Sequence, residues 1–185
     1  MCGNGGRCIV QFAFDLQLIN STTVFEAIDG LHHAEVKQNT VSLQMINVET
    51  IDQHNDGTVF MNTGSPHHVA LVEGIDNFPI YDFGKEIRYS ETYAPGGTNV
   101  NVVEPVTTTH YKVRTYERGV EDETLSCGTG ATAVAIAMHY LGKTSDSSIH
   151  ISVPGGELII SFENHDSVYK NVFLEGPAQF VFEGV

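Results

Sequence analysis

The chain of 185 residues is 41% hydrophobic and 17% charged, an ordinary globular composition with room for one domain or two small lobes. Its 9 Lys and Arg against 23 Asp and Glu leave a net charge of −14, with the basic residues scattered, which argues against nucleic acid or an anionic membrane surface as a partner. No run approaches the ~18 consecutive apolar residues of a membrane span and no basic-then-apolar leader opens the chain, so a cytoplasmic protein is expected.

A glycine-rich turn containing a cysteine, MCGNGG, comes first. Such turns usually follow a strand that positions them, so further residues upstream of Met1 are expected. Ile9, Phe12, Leu16 and Ile19 then recur at helical spacing, which predicts a helix over 5–19. Strands are predicted over 40–46, 58–61, 68–72, 99–104 and 109–116, with the polar run 52–56 as a lobe boundary. A second, alanine-rich helix is predicted over 130–141, closed by Gly142 as a C-cap. Two hairpins finish the chain: 149–153 with 157–162 around Pro154-Gly155-Gly156, and 171–174 with 179–182 around Gly176-Pro177. The class is α+β, mainly antiparallel.

Cys2-Gly3-Asn4-Gly5-Gly6 and Cys127-Gly128-Thr129-Gly130-Ala131 share a Cys-Gly-x-Gly-small pattern, and each opens one of the two predicted helices. A helix N-terminus stabilises a thiolate, and glycines let backbone amides point at an anion. Each turn thus supplies a reactive sulfur and a cradle for a carboxylate. Two such turns facing across a cleft allow one sulfur to take an α-proton while the other delivers one to the opposite face. One copy alone is weak, because glycine turns before helices are common structural devices. Two copies with cysteine at the same offset favour catalysis. Cys8 has no counterpart, since Ala133 holds the equivalent place, and is expected to be a small buried helix residue.

The histidines do not form a metal pattern: His32-His33 and His67-His68 would point to opposite faces of strands, and no zinc spacing appears, so no metal is expected. Glu117-Arg118 also fits an exposed ion pair, Asn99 and Asn101 ordinary strand residues, and Glu121, Asp122 and Glu123 a solvated loop.

These motifs resemble diaminopimelate epimerase over nearly the whole chain. Met1–Cys8 is similar to that family's first cysteine loop and Tyr116–Ala131 (YERGVEDETLSCGTGA) to its second. Asn62–Val69 (NTGSPHHV) and Gly97–Val102 (GTNVNV) stand where two further family motifs stand. The resemblance implies two pseudo-symmetric lobes, each an antiparallel-rich sheet around a central helix, with the site between them and the first lobe incomplete. Residues 1–50 would be the remainder of the N-terminal lobe, 51–170 the C-terminal lobe, and 171–185 a C-terminal hairpin returning to the N-terminal lobe. It implies no cofactor, with Cys2 and Cys127 as the catalytic acid and base. Gly3, Asn4, Gly128 and Thr129 would bind the reacting centre of a small diamino dicarboxylic acid. Asn99, Glu117 and Arg118 would hold the rest, Arg118 offering a bidentate fork to the distal carboxylate. His67 would orient the substrate or tune a thiol. Ser65 stands where the family often has Asn. A homodimer is the implied assembly.

The resemblance also implies an N-terminal segment ahead of Met1 carrying strands of the first lobe. Without it, the first helix is expected to expose an apolar face, with poor solubility and little activity. A proline or hydroxyproline racemase-like enzyme, which usually carries His where Asn4 stands, is the alternative within the same chemistry. An inactive truncated epimerase and a redox-sensing dithiol are the alternatives outside it.

Overall fold

The computed structural model describes residues 1–38 and 40–184. Helix α1 (Gly3–Asp15) opens the chain, with Cys2 as its N-cap and the Cys2 sulfur accepting the Gly5 amide at 3.5 Å. The helix ends well before Ile19. Gln17 turns left-handed (φ 60°), and the Gln17 and Leu18 amides donate back to the Phe14 and Ala13 carbonyls, a Schellman termination.

Strands β1 (Thr22–Ala27) and β2 (Gly30–Lys37) form a hairpin, followed by β3 (Thr40–Gln44), β4 (Ile51–Gln53), β5 (Val59–Asn62) and β6 (Pro66–Leu71). Helix α2 (Ile80–Arg88) comes next, then β7 (Asn99–Pro105), β8 (His110–Glu117) and β9 (Asp122–Thr124). Helix α3 (Gly128–Tyr140), with Cys127 at its N-cap position, matches α1 at 13 residues. It also ends the same way: Gly142 has φ 67°, and the Gly142 and Lys143 amides donate to the His139 and Met138 carbonyls. Strands β10 (Ser148–Val153), β11 (Gly156–His165) and β12 (Val168–Pro177) complete the described fold.

The expected hairpin of 171–174 with 179–182 does not form. The chain stays extended through Gly176 and Pro177, which pair with Val41 and Thr40 of β3, and 178–184 carry no regular structure. The reversal lies earlier, at Asp166 and Ser167, both with positive φ (51° and 66°) as a tight two-residue turn between β11 and β12 requires.

Among the described residues, twelve strands share one sheet in the order β1-β2-β3-β12-β11-β10-β8-β7-β6-β5-β4, with β9 added beside β8. Among the described strand pairs only β6–β7 and β8–β10 are parallel. The sheet curls into two pseudo-symmetric lobes, one around α1 and one around α3, and β12 packs against both helices. Helix α3 is buried on every side from Gly128 to Met138, which explains its alanine-rich composition: small side chains let strands approach all round it. Helix α1 buries only Gly3, Gly6, Arg7 and Val10. Its outer side leaves Ile9 59%, Phe12 62% and Leu16 52% exposed. The core running between the helices includes Leu43, Ile136, Ile149, Ile160 and Leu174, and a smaller one under α2 holds Ile75, Ile80, Val100 and Tyr116.

Candidate active site

The N-terminal turns of α1 and α3 touch. A methyl group built on Gly3 would lie 3.3 Å from the Gly128 Cα, and one on Gly128 would lie 3.2 Å from the Gly3 Cα. Both would also come within 2.8 Å of Leu174 Cδ2 on β12. Glycine at the first helical position of each turn thus lets the two backbones approach closely. This contact brings the capping residues Cys2 and Cys127 into one cleft of about 380 Å³. Its lining includes Cys2, Gly3, Asn4, Ser65, Asn99, Glu117, Arg118, Cys127, Gly128 and Thr129. His67 lies directly behind this surface, fully buried.

Each group is held from a different element. Asn4 donates to the Ser126 carbonyl (3.1 Å) and accepts from the Arg7 guanidinium (3.0 Å), tying the α1 turn to the residue before Cys127. Arg7 is itself buried and bonded to the Gly3 and Pro177 carbonyls, a cation one helical turn from Cys2. Asn99, at the start of β7, donates to Ser65 Oγ (3.0 Å) and the Pro66 carbonyl (2.9 Å) and accepts the Arg118 amide (2.8 Å). Arg118 Nη1 donates to the Gly96 carbonyl at 3.2 Å, and Glu117 accepts the Thr124 hydroxyl at 2.9 Å. Arg118 forms no ion pair with Glu117 among the described residues, so the exposed-pair reading of these two does not hold. Thr129 Oγ1 lies 3.4 Å from Cys127 Sγ and 2.9 Å from His67 Nε2, and Thr63 donates to its carbonyl at 2.8 Å.

The electrostatics separate these groups. Burial pushes the Cys127 thiol up, against a hydrogen bond from Thr129, and the nearby Glu117 carboxylate adds to the rise. Cys127 therefore rests as a thiol. Burial holds His67 down at about 3, with the Arg118 charge reinforcing, so its ring is neutral. The first amides of both helices have no intrahelical acceptor and sit at the positive ends of the helix dipoles.

The structure brings Cys2, Gly3, Asn4, Ser65, Asn99, Glu117, Arg118, Cys127, Gly128 and Thr129 to one surface, with His67 in the layer beneath. Cys8 departs from expectation: it is exposed, because it sits on the side of α1 away from the sheet. Sequence reasoning missed Thr124 and Ser126 in the lining and the buried pair Asn101 and Thr115 behind it. Asn99 and Asn101 both lie inward, their amides spent on site partners, so neither is an ordinary strand residue. His32 is buried and its neighbour His33 exposed, whereas His67 and His68 are both buried because β6 lies inside the sheet.

In overall form the chain shares its fold with solved epimerases, racemases and phenazine biosynthesis proteins. A hydroxyproline epimerase from Agrobacterium vitis superposes with a TM-score of 0.74 at 15% identity, over 99% of this chain and 66% of that one. A phenazine biosynthesis protein of the PhzF family from Bacillus anthracis gives 0.72 at 11% identity, over 96% and 73%. Sequence narrows this class. The family model for diaminopimelate epimerase matches residues 59–181. The diaminopimelate epimerase of Flavobacterium psychrophilum is 55% identical, over 99% of this chain and 72% of the relative's length. That of Aquifex aeolicus is 41% identical, over 100% and 68%. The chain belongs to the diaminopimelate epimerase family, and its class of activity is isomerase.

Proposed function

We propose that this chain interconverts LL- and meso-diaminopimelate in lysine biosynthesis, by proton transfer between Cys2 and Cys127 and without pyridoxal phosphate. The observation that carries the mechanism is the contact between the two Cys-capped helix turns, which sets both sulfurs on one cleft. The reading makes Cys2 Sγ the thiolate that removes the α-proton and Cys127 the thiol that protonates the other face. The sulfurs then end in exchanged protonation states, and the reverse reaction restores them.

The developing negative charge on the α-carboxylate falls to the free amides of Gly3, Asn4, Gly128 and Thr129, a preorganised set of donors. No lysine lines the cleft among the described residues, so none is placed to form a Schiff base there. Arg118 and Asn99 stand beside the reacting turns, where the distal end of a long diamino dicarboxylic acid would lie. Asn4, in place of the His usual in proline racemases, and the 55% identity favour this substrate over a cyclic amino acid. The same reading expects a cytoplasmic homodimer.

The test is α-hydrogen exchange of LL-diaminopimelate in D₂O under reducing conditions, read as deuterium entering the inverted carbon of the meso product. Cys2→Ser and Cys127→Ser should each lose about 10²–10⁴-fold in rate. Exchange persisting at full rate in either variant contradicts the two-thiol reading.

A further inference from the structure

Behind the cleft lies a chain of buried polar groups whose hydrogen positions can be worked out from their partners. Asn101, on β7 and fully buried, donates through Nδ2 to the His68 carbonyl at 2.9 Å and accepts the Thr115 hydroxyl on Oδ1 at 3.0 Å. A carbonyl can only accept, so the amide cannot be turned over without facing oxygen to oxygen. Gly130 keeps the space open, since a methyl group there would meet Asn101 Oδ1 at 2.4 Å. The second hydrogen of Nδ2 points at His67 Nδ1, 3.1 Å away. Nδ1 must then be the bare, accepting nitrogen, which leaves the ring proton on Nε2. From Nε2 it reaches Thr129 Oγ1 and Ser65 Oγ, each at 2.9 Å. Ser65 already accepts from Asn99, so its own hydrogen turns toward Thr129 at 3.3 Å. Thr129 therefore receives hydrogens from behind, and its own points forward to Cys127 Sγ at 3.4 Å.

We propose that Asn101 is a positioning residue that fixes His67 in the Nε2–H tautomer and thereby aims the Thr129 hydroxyl hydrogen at the Cys127 sulfur. In the opposite tautomer, Nε2 would accept, Thr129 or Ser65 would turn its hydrogen inward, and Cys127 would lose a donor that stabilises its thiolate. The consequence for catalysis rests on the two-thiol reading above; the tautomer itself does not.

The test is a long-range proton–nitrogen correlation spectrum of the full chain with ¹⁵N-labelled histidine, the His67 signals assigned with His67→Gln. Wild type should show Nε2 protonated and Nδ1 bare; the reverse pattern overturns the proposal without any variant. Asn101→Asp, which offers an acceptor to Nδ1, should move the proton to Nδ1. Asn101→Ala, which removes the donor, should give a mixture. Either variant keeping the pure Nε2–H pattern while folded shows that Asn101 does not set it, and if Asn101→Asp fails to fold, Asn101→Ala decides. With diaminopimelate, both variants should lose roughly tenfold or more in kcat with KM little changed. Correct tautomers with no exchange in wild type would sink the epimerase reading and leave the lock standing.

Discussion

Cys127 shows how one residue's surroundings set its task. Its side chain is buried, and that burial raises its pKa, with the Thr129 hydroxyl the main opposing contact. In a pH series of alkylation followed by mass spectrometry, the midpoint for Cys127 should lie above the usual thiol value of about 8.5. A midpoint below that value contradicts the assignment of Cys127 as the resting acid. Cys127 was recognisable in the sequence because its Cys-Gly-x-Gly turn repeats that of Cys2. His67 and Asn99 gained roles chiefly through their family motifs. Asn101 reads in the sequence only as an ordinary strand residue and Thr115 does not stand out at all: a buried Asn and Thr on adjacent strands carry no periodic signal, and only the register pairing Asn101 with Thr115 brings them together.

At the scale of elements, the two helices are variations on one unit, capped by cysteine and ended by a Schellman turn after 13 residues. Their meeting point is a close contact of two backbones with Leu174 beside them. Gly128→Ala should drive a methyl group into Leu174 and Gly3, costing about 1–3 kcal/mol in stability and prising the sulfurs apart. Paired melting and exchange assays should show activity falling by far more than the lost stability explains; an unchanged exchange rate would mean that the helix contact does not set the site. Both helices were visible from apolar spacing and composition, but only Gly142 marked an end. Gln17 closes α1 in a left-handed conformation that nothing in its side chain advertises. Helix α2 escaped notice because it spans only nine residues, with Gly84 in its middle to clear Tyr116. The last strand was misread because Gly176-Pro177 looks like a turn, whereas Pro177 is the terminal residue of β12 and ends its pairing with β3.

At the scale of the molecule, buried neutral histidines couple folding to pH. His67 is held at about 3 and His68 at about 4, both chiefly by burial, against an ordinary value of 6.5. Below 6.5 the unfolded chain takes up protons that the native one refuses, so this stability is present above 6.5 and is lost as pH falls toward about 4. Each histidine contributes a slope of about 1.4 kcal/mol per pH unit in that window. Denaturant unfolding at pH 7 and pH 5 should show the loss, and His68→Phe, which keeps the packing against Tyr93 and His54, should shed about half of the histidine share. Equal acid sensitivity in wild type and variant would contradict this origin.

The central claim is that two sulfurs serve opposite faces of one carbon, and the position of solvent hydrogen tests it most directly. LL-diaminopimelate would be incubated with the enzyme in D₂O, and substrate and product separated early in the reaction. With Cys2 returning the hydrogen it took and Cys127 delivering one from solvent, deuterium should appear at the inverted carbon of the meso product while recovered LL substrate keeps its hydrogen. Deuterium entering recovered substrate as fast as product would mean that one group serves both faces, and the two-thiol account would be wrong.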